Sequence, residues 1–551
     1  MFSLLDEKWL PVQRLRSGFQ LIRPSDLTDS IEDDPVLAPI WGRADFDAAT
    51  RELLIGLLAT ACPPADHDAW QKWWESPPAA AELAVAFALY ARAFVIDGDG
   101  PRFMQDQADL NGEAVPVSQL LIEAPGGNTE KLNKDLFEKR GRVAAMSRAS
   151  AAMALFTLQT YAPSGGQGHR TSLRGGGPLT TLVTPIEDPS KPVPFWRQLW
   201  LNVVPPREGD VMSSLCEASV FPWLGKTRTS EGDRGTTPED VDPAQAYWGM
   251  PRRIRLDFIE NATDEPCAIS GRRDTVLVRT YRTKNLGTKY EGWGRRHPLT
   301  PSYKAKKDAS EWLSVHVQPG GIGYRNWVAL VQAEGVNSLP AAAVTIAKER
   351  LIDQKGPSAG RRARLLASGY DTDNMKARGF VESEMPLYLL PSGLRGDFED
   401  FCHRMVASSN EVAGLLAGSV RAALFSNGSS VNVKRELFAS LRERLFLETE
   451  SDFFLILDNA ASELVAGGSH SPAETASRWL KRLREVALHL FDEASPLDPD
   501  AVVHIPRVIE ARRNLFFALG GYGKRGTSLL QILQIPQPGT NAAPKRRKEA
   551  A

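Results

Sequence analysis

Apolar and polar positions alternate from Lys8 to Leu15, turn at Ser17-Gly18, and continue through Phe19-Gln20-Leu21-Ile22, a pattern that predicts a β-hairpin. Helical spacing then takes over. Phe46, Leu53, Leu54, Leu57 and Leu58 share one face of a helix predicted over 46–61, and a second helix follows over 82–95 after the Pro77-Pro78 break. Trp70, Trp73 and Trp74 at i, i+3 and i+4 fit either packing on a core or base stacking. Small and apolar residues predict a compact helix from Val143 to Leu158. Between about 185 and 345 the chain reads as short strands and turns, with Thr275–Tyr281 and Trp312–Val317 as the clearest strands. From about 387 the texture becomes long and amphipathic over 397–425, 433–457, 472–492 and 501–519, which predicts a four-helix bundle. The expected fold class is therefore α+β: a large mixed α/β N-terminal domain (1–385), a C-terminal four-helix bundle (386–535) and a disordered basic tail (536–551) ending Lys545-Arg546-Arg547-Lys548.

A chain of 551 residues, 42% hydrophobic and 24% charged, has ordinary globular composition. The N-terminus lacks signal-peptide regions and no apolar run reaches spanning length, so a cytoplasmic protein with no membrane segment is expected. Net charge is −1, which places any nucleic-acid role in local patches. Such a patch exists: residues 1–100 carry 8 basic and 16 acidic side chains, residues 251–310 carry 14 and 7.

Known catalytic patterns fail on spacing. Gly225-Lys226-Thr227 has Val220 where a phosphate-binding loop needs glycine, and Thr171 stands where a dinucleotide motif built on Gly166 and Gly168 needs its third. Neither HxH, HExxH nor GxSxG occurs, and Cys62, Cys216, Cys267 and Cys402 form no CxxC pair. No enzyme activity, cofactor or metal is expected.

Three segments remain. Six glycines lie between 165 and 177, where missing β-carbons allow backbone N–H groups to approach a polyanion, with Arg170 and Arg174 as phosphate contacts; a plain surface loop fits equally. Trp293–Lys307 is turn-rich and ends in Lys304, Lys306 and Lys307, a run that grips phosphate or is simply solvated. Gly369–Arg378 reads as a polar loop in which an Asn amide can address a base edge and Met375 can wedge a base step. A further segment, 125–142, begins flexible and ends basic.

Taken in order, Leu4–Val12, Ala154-Leu155-Phe156, Gly165–Gly168, Ser172–Thr181, Arg296–Pro301, Gln318-Pro319-Gly320 and Gly369–Arg378 resemble the large subunit, CasA, of the type I-E CRISPR surveillance complex Cascade. The resemblance implies a non-catalytic subunit that recognises the protospacer-adjacent motif, a short tag beside the target, and starts opening the duplex for guide-RNA pairing. It implies as partners the other Cascade subunits, guide CRISPR RNA, double-stranded target DNA and a helicase-nuclease recruited afterwards. By that likeness the glycine loop is Gly165, Gly166, Gln167 and Gly168. Lysine-finger candidates are Lys304, Lys306 and Lys307, and the wedge with its adjoining reader is Asn374 with Asp373, where some relatives carry Gln and Asn. Lys376 and Arg378 join Arg170 and Arg174 as phosphate contacts. The 125–142 loop, with Lys134, Phe137, Lys139 and Arg140, matches one that touches the guide RNA. Some relatives hold zinc through two cysteine pairs; only Cys267 lies near an equivalent position, so no metal is expected. The rival readings are an autonomous metal-dependent nuclease and an inert scaffold.

Overall fold

The computed structural model describes residues 1–537 except 127–128, 130, 134, 136–140, 167, 187–189, 208–216, 307–308, 334–336, 354–361, 374–375, 426–434, 468–470 and 497–503. Gln167, Lys134, Phe137, Lys139, Arg140, Lys307, Asn374, Met375, Cys216 and nearly all of the expected basic tail lie outside them. Contacts divide the chain into two compact units: Met1–Gly321 with Ala329–Gln354 and Arg362–Leu387, and a second built on Ile322–Val328 and the chain from Tyr388 onward.

The first unit opens with the expected hairpin, β1 (Leu10–Arg14) and β2 (Gly18–Ile22), and β3 (Val36–Pro39) pairs on the other side of β1. Helix α1 (Ala44–Ala61) buries Phe46, Leu53, Leu54, Leu57 and Leu58 as its spacing dictates, and with them the polar Thr50, Glu52 and Thr60. Asp66 caps α2 (His67–Glu75) by accepting from the Ala69 N–H. Trp70 and Trp74 are core and Trp73 is half-buried: Trp70 stacks on Trp74, and the Trp70 and Trp200 indoles donate to each other's backbone carbonyls. Helix α3 (Ala80–Ala88) ends early, and a 3-10 turn over Ala91–Phe94 completes the segment predicted as one helix. Helix α4 (Arg148–Tyr161) starts later than its composition suggests, because Met146–Ser147 joins a sheet and Ser147 caps the helix by accepting from the Ser150 N–H.

Helix α5 (Phe195–Leu201) packs on strand β4 (Thr180–Ile186). Strands β5 (Arg253–Glu260) and β6 (Val276–Lys284) form an antiparallel pair with Arg255 opposite Arg282. The expected strand 312–317 is shorter: only Leu313–Ser314 pairs as a strand, and His316 bridges to Pro178. Helix α6 (Tyr324–Val331) precedes α7 (Ala342–Asp353), which packs on β4. Strands β7 (Arg362–Asp373) and β8 (Lys376–Tyr388) complete a sheet in the order β8-β7-β4.

The second unit contains α8 (Ser392–Leu424), α9 (Arg435–Val465), α10 (Pro472–Ala494) and α11 (Ile505–Leu519), near the four predicted segments. A further helix, α12 (Gly523–Leu533), packs Leu529, Leu530 and Leu533 against this group, so the four-helix expectation is one short. Tyr324 enters the same core, stacked on Phe453 with its hydroxyl 2.8 Å from Thr449 Oγ1.

Candidate nucleic-acid interface

Straight after α4 the chain makes a closed turn. Gly166 and Gly168 have φ of 65° and 81°. The Gly165 N–H donates to His169 O at 3.3 Å, the His169 N–H to Gly166 O at 2.8 Å, and the Leu286 N–H to Gly168 O at 3.0 Å. A β-carbon on Gly165 would come within 2.7 Å of Arg252 Nη1, and one on Gly168 within 3.1 Å of the Leu286 nitrogen. These glycines therefore permit a turn to sit tightly on the chain after β6, which a free surface loop does not require. Arg170 is half-buried, its Nε donating to Ser230 Oγ at 2.9 Å.

Arg174 is a correction. It is 4% exposed, donates from Nη2 to Glu52 Oε2 at 2.7 Å and from Nη1 to Thr180 Oγ1 and Thr300 Oγ1, and so cannot meet a phosphate at the surface. Glu52 also accepts from the Tyr161 and Thr180 hydroxyls, which gives the buried carboxylate a full set of donors. What Arg174 anchors is the second glycine cluster. A β-carbon on Gly176 would lie 3.2 Å from Pro163 Cα, and one on Gly177 (φ 62°) 2.5 Å from Tyr370 O. Gly175 closes on His316, whose Nδ1 lies 2.9 Å from Gly176 O; a carbonyl only accepts, so that nitrogen carries the proton. The second glycine cluster thus packs on Ala162–Ser164, the segment that leads into the first, and on β7.

Residues 369–378, expected as a polar loop, are largely strand. Two residues join β7 to β8, a length that only antiparallel strands allow. Arg378 donates to both oxygens of Asp371, at 3.1 and 2.7 Å, and lies 3.7 Å from Asp373. The hydrogen bond to Asp371 raises its pKa, so this guanidinium already has acidic partners on the ribbon. Asp373 and Lys376 are exposed. At the ribbon's base Tyr370 donates to Asp45 Oδ2 at 2.6 Å, Asp45 pairs with Arg43, and Arg43 pairs with Glu123.

The lysines separate. Lys304 Nζ sits 5.1 Å from the Trp312 ring centroid, beside Arg295 at 5.2 Å on the same ring, and Lys306 is exposed. Nothing among the described contacts links either one to the glycine turn. The lysine carried next to that turn is Lys284, exposed at the end of β6 and two residues before Leu286. Sequence reasoning misses it, although it lies in the basic 251–310 stretch.

Cys267 is buried, its thiol 3.2 Å from Ser150 Oγ, and among the described residues no group of three or more His, Cys, Asp or Glu side chains could hold a metal ion. No described helix is long and apolar enough to cross a membrane.

Fold and site define an α+β protein whose mixed unit presents a glycine turn, a charged ribbon and a basic strand edge, and whose second unit is a helix bundle. The same architecture occurs in CasA from Thermus thermophilus (18% identity, 94% of this chain and 99% of that one, TM-score 0.65) and in Cse1 from Acidimicrobium ferrooxidans (16%, 97% and 98%, 0.66). A chain of a CRISPR RNA-guided surveillance complex also matches, at 13% identity over 94% of this chain and 99% of that one, with a TM-score of 0.63. The chain belongs to the CRISPR-associated protein Cse1 family, whose model matches residues 3–490.

Proposed function

We propose that this protein is the non-catalytic large subunit of a cytoplasmic CRISPR RNA-guided surveillance complex, and that it reads the tag beside the target in double-stranded DNA. The observation that carries the reading is the contact of Gly176 with Pro163 and of Gly177 with Tyr370, which joins the glycine turn and the β7–β8 ribbon into one support. Gly165–Gly168 bring backbone and no side chain toward the minor groove, and Lys284 contacts phosphate or a base edge beside them. Residues 373–374 press on the first target pair. Minor-groove readout separates A·T from G·C far better than A·T from T·A, so the tag consensus is relaxed. Tag contacts, then RNA–DNA pairing, offset the cost of opening, and no ATP is consumed at this step. The segment 125–142 contacts the guide RNA, the bundle supports the displaced strand and neighbouring subunits, and a helicase-nuclease is recruited after pairing.

The test is binding of the reconstituted complex to duplexes with one matched target and a randomised flanking trinucleotide, at fixed salt. Selected flanks, with selection weakened by Lys284→Ala and Asn374→Ala, are expected. Equal binding of every flank overturns the reading, and metal-dependent cleavage by the purified chain would return it to the nuclease class.

A further inference from the structure

On β5 and β6, Arg255 and Arg282 stand directly opposite each other, a like-charge pairing that destabilises a sheet unless something neutralises it. Arg102 approaches the same place, and the three guanidinium groups line a cleft of about 520 Å3 together with Asp109, Asn111, Asp257 and Phe258. Two carboxylates against three guanidinium groups neutralise the cleft only in part, and the one ion pair falls on Arg282. Asp257 accepts from Thr280 and lies 3.5 Å from Arg282. Arg255 donates to the Asp106 carbonyl, and Arg102 to the carbonyls of Gly98 and Leu256, so backbone rather than carboxylate holds these two groups in place. Among the described residues neither forms an ion pair; burial and then repulsion from Arg255 lower the Arg102 pKa, against the opposing pull of Asp97, Asp99 and Asp257. Phe258 supports the Arg102 guanidinium at 5.4 Å. The result is a preorganised, under-neutralised pair of planar forks, the arrangement that suits a phosphate oxygen pair.

We infer that this cleft binds a phosphodiester group of a nucleic-acid strand, as an anchor separate from the glycine turn and the ribbon. Strand geometry favours nucleic acid: side chains two apart share a face, so Arg282 and Lys284 lie on one face of β6, and Lys284 is two residues before Leu286, which meets Gly168. A backbone running past Lys284 meets Arg282 next. The inference rests on the nucleic-acid reading for its ligand class.

The test uses the full chain and a labelled duplex lacking any selected flank, with fluorescence anisotropy read across a salt series that starts low. Each phosphate contact removed reduces the log K against log salt slope by about 1. Arg102→Gln with Arg255→Gln should reduce it by about 2, and the exposed Arg282→Gln, which leaves the core untouched, by about 1, independently of sequence. A parallel arm follows thermal unfolding in inorganic phosphate against chloride at equal ionic strength. Phosphate protection that disappears in the double variant while the duplex slope stays unchanged would mean a free-anion site and would overturn the nucleic-acid assignment. Unchanged slopes in all variants, or no duplex binding by the wild type at the lowest salt, would overturn it too. Flank selection by the reconstituted complex is a separate readout: if the slopes fall while selection is absent, the cleft stands and the tag-reading role does not.

Discussion

Arg174 and Glu52, 122 residues apart, meet at 2.7 Å in the interior, and both side chains are almost fully buried. The pair ties α1 to the turn that carries Gly175–Gly177. Removing one partner leaves a buried charge, so Arg174→Ala should lower unfolding free energy by ~3–5 kcal/mol, read by urea denaturation. Arg174→Met with Glu52→Gln should cost much less. A stable Arg174→Ala protein that has lost only DNA affinity would show that the guanidinium reaches ligand.

Gly177→Ala tests the brace under the ribbon. Its φ of 62° and the approach to Tyr370 O leave no room for a β-carbon. A loss of ~1–3 kcal/mol is expected, together with weaker flank selection by the reconstituted complex. Unchanged stability would mean that the two segments are not in contact.

The lysines give a paired experiment. Lys284→Ala should weaken flank-dependent binding with no change in melting temperature. Lys304→Ala should cost ~0.5–1 kcal/mol of stability through its lost contact with Trp312 and leave flank selection intact. The reverse pattern restores the lysines that sequence alone singles out.

Burial pushes the Asp47 carboxyl up to about 6 from 3.8, although the Trp41 N–H donates to it. A raised folded pKa means stability that is fully present below pH 3.8 and is lost as pH rises through about 6. Asp47→Asn keeps an acceptor for Trp41 and removes the charge. It should flatten stability between about pH 4 and pH 7 and raise it at neutral pH by ~1–2 kcal/mol after allowance for solvent screening. Parallel pH profiles for the two proteins would contradict this.

The bundle helices are legible in the sequence because long amphipathic stretches leave little choice of element, and α12 escapes because Gly520-Gly521-Tyr522-Gly523 reads as an ending. The ribbon is misread for a similar reason: Gly369, Asp371 and Asp373 are turn residues by composition, while β7 pairs with β4 only as far as Ser368 and runs on past it beside β8. Glycines at 165–168 and 175–177 stand out, yet only packing shows that Arg170 lies half-buried while Arg174, four residues on, is interior. Likewise, clustering draws attention to Lys304–Lys307, and the hydrogen bond from the Leu286 N–H to Gly168 O, two residues past Lys284, is what places Lys284 beside the glycine turn.

Arg378 is committed to Asp371 and Asp373, and with Lys376 the ribbon's end carries two acidic and two basic side chains. An element without net pull on phosphate has no electrostatic reason to linger. Under the proposed tag-reading role, its residence time on mismatched DNA would be set by base contacts alone, and wrong sites would be released quickly.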